Sequence, residues 1–322
     1  MSEKKSLYDV IKENLIDGEL PDTFSLPKDE DDDPNKIKWA DGARDGVSIY
    51  HMRQPDVSDE QIKIVADAFS MLPDNEKAMT RMRDLFAEIS PLGGIDAIQR
   101  YILNNTQTLD ANQVFSLAIN CVFGSEVDMV KLGLLIIEIF NEPDENVKEI
   151  IRTLGLSDEF TIFAVFNMMT WENSNKEIFE LAKRVHGWGR IHAVERLEPE
   201  NQEIRDWLLA EGINNDVLRE YSALVVFEKA GIASLLKSEV TDIQLNQIAN
   251  VLHSMFPEGP VKGISALSPD EANELIGDFI KQAEKHKLSS DICGLLQSVA
   301  NYERFKEYAE KCNAILNGSE SI

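Results

Sequence analysis

The chain has 322 residues, 43% of them hydrophobic, with 32 basic against 57 acidic side chains and a formal charge of −25. That balance leaves no basic patch to neutralise phosphates, which argues against nucleic acid and anionic membrane surfaces as partners and favours a protein partner, a basic one by charge. The length suffices for one large domain or two modest ones with a real core.

The opening stretch, MSEKKSLYDVIKEN, has no apolar run of the signal-peptide kind. Residues 8–16 read as a short helix. Pro and Asp then dominate, and the five consecutive acids Asp29–Asp33 repel one another, which predicts a solvated loop. Next comes IKWADGARDGVSIYHM, with Asp41-Gly42 and Asp45-Gly46 set between Ile37, Trp39, Val47, Ile49 and Tyr50. Asp-Gly favours turns because Gly accepts positive φ cheaply. An ordered loop pinned by Trp39 is expected rather than a hairpin, since no other strands are predicted to complete a sheet. Residues 1–57 are thus read as an acidic, mostly irregular N-terminal segment.

From residue 58 the pattern is helical. Capping boxes are expected at Ser58/Gln61, at Ser174/Glu177 and at Ser268/Glu271, the last with Pro269 in the first helical position. Apolar residues recur at three- and four-residue spacings, as in Ile62, Val65, Ala66 and Phe69. Gly and Pro interrupt them at Pro73, Pro91, Gly124, Pro143, Gly155, Gly187, Pro199, Gly212 and Pro257. No useful β-alternation follows, so the class is all-α, with roughly fourteen to sixteen helices after residue 58. The longest apolar run, Leu132–Ile137 counting Gly133, is far short of the roughly 20 residues that span a bilayer. Cys121, Cys293 and Cys312 form no CxxC and read as reduced thiols of a cytoplasmic protein.

Three segments repeat. ENVKEIIRTLG, KEIFELAKRVHG and QEIRDWLLAEG align on Val147, Ile178 and Ile204, with Ile150, Leu181 and Trp207 three residues on, Ile151, Ala182 and Leu208 four on, and a terminal Gly155, Gly187 and Gly212. Between them lie FTIFAVFNMM, WGRIHAVERL and YSALVVFEKAG, of which the first and third are apolar nearly all round. Helix pairs of this kind bury their cores by stacking. The pattern resembles the HEAT and armadillo-like repeat proteins with short units, over 126–236 and, in more degenerate form, over 58–316. The resemblance implies a right-handed α-solenoid over 58–318 whose inner helices line a concave binding face.

The stretch VHGWGRIHAVERLEP, 185–199, stands apart for its density of His, Arg and Trp. A left-handed Gly187 is expected to end one helix and Trp188 to begin the next. Ile191, Val194 and Leu197 then form the core stripe, which leaves His192, Glu195 and Arg196 on the flank or outer face. His186, Trp188, Arg190, His192, Glu195 and Arg196 are the candidate binding residues. Two readings stay open: a binding surface, or a structural network in which Arg190 and Arg196 bond Glu195, Glu198, Glu203 or helix ends. Trp171, Trp188 and Trp207 read chiefly as packing. The irregular WADGARDGVSIYHM piece needs partners for its backbone, and is expected to lie near His192 and Arg196 as a built-in occupant or lid.

The same stretch, with EIRDWLL and WADGARDG, is similar to a group of bacterial proteins some of which are labelled limonene hydroxylase. That label implies a monooxygenase, and the residues do not supply one. Neither AINCVFG nor SDICGLL is a haem-thiolate loop, and GxGxxG is absent. HEAT-like di-iron hydroxylases use His-Glu dipeptides, whereas the residues following the five His are Met52, Gly187, Ala193, Ser254 and Lys287. His186, His192 and Glu195 leave a mononuclear metal as the alternative. No GxSxG elbow occurs. The reading is a non-catalytic binding or scaffold protein without cofactor or metal; the alternative is a small-molecule binder or metal-dependent enzyme with its site around residues 186–196.

Overall fold

The structure, a computed structural model, describes residues 4–27, 38–52 and 56–319. The acidic run at 29–33 and Ile37 lie outside the described residues. Regular structure among the described residues is helical throughout, with no strand; one isolated antiparallel bridge joins Ile16 and Glu19. No helix among them is long and apolar enough to cross a membrane. The chain divides into two compact units, Met1–Arg196 and Leu197–Ile322.

The first unit comprises α1 (Leu7–Glu13), α2 (Ala43–His51), α3 (Asp59–Ser70), α4 (Asn75–Phe86), α5 (Pro91–Asn104), α6 (Ala111–Val122), α7 (Val127–Ile137), α8 (Glu145–Gly155), α9 (Asp158–Met168), α10 (Ser174–Ala182) and α11 (Trp188–Arg196). Helices pair in sequence: α3 with α4, α6 with α7, α8 with α9, α10 with α11. The second members also touch in order, α7 on α9 and α9 on α11. The all-round apolar α9 sits at the centre, with Phe160, Ile162, Phe163, Val165 and Met168 buried, because it has neighbours on several sides. Gly155 lets α8 approach it closely: a Cβ there would stand 2.7 Å from that of Ala164. The N-terminal residues belong to the same unit. α1 packs on α8, and the Leu7 N–H donates to the Gly124 carbonyl at 2.9 Å.

The capping box of Ser58 and Gln61 closes as the sequence predicts. The one at Ser174 does not form. Asn173 precedes the helix instead, and Glu177 accepts two bonds from Arg152 of α8, at 2.8 and 2.9 Å. A bidentate guanidinium is a stronger partner for Glu177 than a cap N–H.

The second unit comprises α12 (Gln202–Glu211), α13 (Glu220–Lys229), α14 (Ile232–Leu235), α15 (Asp242–His253), α16 (Pro269–Ala283), α17 (Ser290–Asn301) and α18 (Ala309–Ser319). α15 contacts α12, α13 and α17, and buries Leu245, Ile248, Ala249 and Leu252. Capping boxes close at Ser268/Glu271 and, unforeseen, at Thr241/Gln244. Gln282 is buried yet satisfied, donating to the carbonyls of Leu236 and Ser238 at 2.9 and 2.8 Å. Trp207 is half-buried. Gly212 caps α12 with ordinary right-handed angles.

Candidate functional site

Residues 43–51 form a helix, not the expected loop. Helical spacing brings Gly42, Asp45, Gly46 and Tyr50 to one face, whereas two successive turns would scatter them. Gly42 has φ +73° at the N-cap, and a Cβ there would lie 2.5 Å from the Asp158 carbonyl oxygen. Gly46 is helix interior, normally unfavourable by about 1 kcal/mol. It is required here because a Cβ would overlap the ring of Trp188. Trp39 remains 40% exposed and is not the pin. Trp188 on α11 is the aromatic anchor against which α2 rests.

Gly187 has no positive φ, contrary to expectation. It is small because a Cβ would collide with the Asp158 carboxylate, whose Oδ1 accepts the Gly189 N–H at 3.0 Å. Glu159, the next residue, accepts the Gly42 N–H at 2.6 Å. The first turn of α9 therefore supplies carboxylates to the N-termini of two other helices, α11 and α2. Free N–H groups and the helix dipole both favour negative charge there. The glycines of DGARDG and of HGWG share this geometry: each leaves room for atoms of α9 or α11, the Asp158 carbonyl at Gly42, the Trp188 ring at Gly46 and the Asp158 carboxylate at Gly187.

Beneath α2 lies a buried charge cluster. Lys131 of α7 bonds Asp45 Oδ2 at 2.7 Å and also bonds Glu159 Oε1. Its ammonium lies 5.6 Å from the centre of the Phe163 ring. Burial alone would push the Lys131 amine down, but Asp45 and Glu159 outweigh it and hold the pKa above its ordinary value. Asp128 is raised by burial, against the pull of Lys131 and Arg44.

At the other end of α2, Tyr50 lies parallel to His192, with ring centroids 6.3 Å apart and planes 10° from parallel. Trp188 stacks on the same imidazole at 6.1 Å. The Tyr50 hydroxyl donates to Glu195 Oε2 at 2.9 Å, and Arg196 pairs with that oxygen at 2.8 Å. Arg196 also covers the face of Phe166 on α9, at 5.3 Å. His192 is 1% exposed rather than on an open flank or outer face, because α2 covers it. Neither ring nitrogen has a protein partner. Burial, with Arg196 nearby, pushes its pKa down to about 3.

Of the six residues singled out in the sequence, Trp188, His192, Glu195 and Arg196 thus gather beneath or beside α2. Arg190 is buried and donates from Nε to the Val185 carbonyl at 2.7 Å, which ties down the link before α11. His186 stays half-exposed in that link, outside this group. Among the described residues no group of three or more His, Cys, Asp or Glu could hold a metal ion. Burial pushes the Cys121 thiol up to about 12, so it stays protonated. The sequence reading misses Lys131, Asp158 and Glu159. Lys131 has a signal, as the one basic residue directly beside the longest apolar run; the two acids at the start of α9 have none beyond their place in a first turn. No protein-family model, curated protein or solved structure matches the chain.

The packing of α2 is checked by Gly46→Ala. On a solvated helix this change stabilises by up to about 1 kcal/mol through propensity. Against the Trp188 ring it is expected to destabilise by about 1–3 kcal/mol. The sign of the shift in a urea titration separates the two.

Proposed function

We propose that the chain is a non-catalytic binding protein of the α-solenoid type, and that the face formed by α7, α9 and α11 recognises a helical segment of a protein partner. What supports the reading is the way α2 is held. A short helix is read there by an ion pair at Lys131, by a tilted ring contact at Trp188 and stacking at His192, and by hydrogen bonds at Glu159 and Glu195. Helix-in-groove recognition uses contacts of this kind. The ordered contacts of α7, α9 and α11, together with the 26- to 31-residue sequence repeat, support the solenoid. The net charge of −25 supports a partner that is basic overall, and the three free cysteines support a cytoplasmic setting.

The test is binding in trans. A labelled peptide of residues 38–52 is titrated into the full chain carrying Gly46→Ala, whose own α2 is weakened. Fluorescence anisotropy should show saturable binding at least about tenfold tighter than to the wild-type chain, where the tethered copy competes at high effective concentration. A variant that is destabilised yet binds no peptide would remove this reading.

A further inference from the structure

This inference rests on the reading of the α7–α9–α11 face as a recognition surface, and concerns what that face is built to hold. The fit of α2 is good in shape and charge but incomplete in hydrogen bonds. Asp45 spends one oxygen on Lys131 and leaves Oδ1 buried without a partner. His192 leaves both nitrogens buried without one. Tyr50 offers the imidazole only the face of its ring, and sends its hydroxyl to Glu195 instead. Buried polar atoms of folded proteins are rarely unpaired, and a concentration of them marks a place shaped by something other than stability.

We infer that α2 is a placeholder, and that the partner segment that displaces it repeats its frame while adding a hydrogen-bonding side chain for the imidazole of His192. The frame is fixed by the seat. A residue without Cβ is needed at the position of Gly42, against the Asp158 carbonyl, and at that of Gly46, against the Trp188 ring. An acid is needed at the position of Asp45, one residue before the second small one, to meet Lys131. The ligand class is therefore a helical peptide of the pattern Gly-x-x-acid-Gly followed, about four residues on, by a side chain such as a carboxamide. Supplying one missing hydrogen bond in a buried site gives about a tenfold gain in affinity over the same segment without it. A placeholder that lacks this bond holds the face closed in the absence of a partner and yields to one that has it. A second copy's α2 carries the same deficit and gains nothing over the resident one.

His192→Phe in the full chain keeps the stacking surface and removes the unpaired nitrogens. Native-state amide exchange of residues 43–51 should slow by about tenfold. A variant that unfolds, or whose α2 amides exchange as fast as or faster than wild type, overturns the inference, because the imidazole would then be satisfied where it stands. The second arm compares the 38–52 peptide with its Tyr50→Gln form on two full-chain receptors, Gly46→Ala and Gly46→Ala with His192→Phe. The ratio of the two affinities should favour Gln at least about fivefold more when His192 is present. Equal ratios overturn the demand for a hydrogen bond at His192 while native-peptide binding would still uphold recognition; absence of any peptide binding would instead strike the functional reading itself.

Discussion

Lys131→Met should cost about 3–5 kcal/mol of stability, the loss expected when one partner of a buried ion pair is removed. The ammonium neutralises two carboxylates, Asp45 and Glu159, in a setting where the amine is 3% and Asp45 2% exposed. Removing it leaves the buried Asp45 and the part-buried Glu159 without their counter-charge, beside a third acid, Asp128, whose own pKa is already raised by burial. Met fills much the same volume, so the loss reports charge and not a cavity. The double variant Lys131→Met with Asp45→Asn should recover part of it, and the cycle gives the coupling between α7 and α2. A surface pair serves as the control: Lys306 and Glu303 are 76% and 88% exposed, and breaking that contact should have an effect within about 0.5 kcal/mol. Urea titration at neutral pH, with amide exchange of α2 as the local readout, checks both. A neutral Lys131→Met would mean that the cluster does not hold α2 in place.

The all-α class is legible in the sequence because its signals are local. Ser58 and Ser268 each close the capping box that their neighbours spell, and α9 is buried over most of its surface from Phe160 on, as its nearly all-round apolar character requires. The prominence of residues 185–199 is legible for a similar reason, since Gly, Trp and His are dense there. What is not legible is what those residues face. Gly42 and Gly46 read as turn formers, because an isolated Asp-Gly pair does favour a turn. Gly42 keeps the positive φ that a turn former supplies, as the N-cap, but Gly46 is taken into the helix, where the Trp188 ring, more than a hundred residues away, leaves no room for a Cβ. His192 reads as a flank residue by its place on α11 alone, and α2 turns that flank into interior. Ser174 carries the right spacing for a cap, and loses Glu177 to Arg152. At Gly46, His192 and Ser174 a contact distant in sequence overrides a correct local preference.

The second large effect is acid lability centred on His192. In the folded chain the imidazole titrates at about 3, against 6.5 for an unburied one. The unfolded state therefore binds more protons at every pH between those values, and stability falls as pH falls through that window. Above pH 6.5 the residue contributes no slope. Each pH unit below it removes about 1.4 kcal/mol, so by pH 4.5 the chain should have lost about 3 kcal/mol on this account alone. The direction follows from geometry: protonation would place a buried charge against the Tyr50 and Trp188 rings, next to Arg196, with no acceptor for either N–H. Other groups titrate in the same range, Asp128 and Glu138 among them with raised values, so the wild-type curve mixes several contributions. The difference between wild type and His192→Phe isolates one. Its stability advantage should be constant from pH 8 to 6.5, then widen steadily as the solution is acidified, when denaturant midpoints are measured at matched ionic strength. An advantage that stays flat down to pH 4.5 would show that the imidazole accepts its proton in place, and that α2 does not seal it from water.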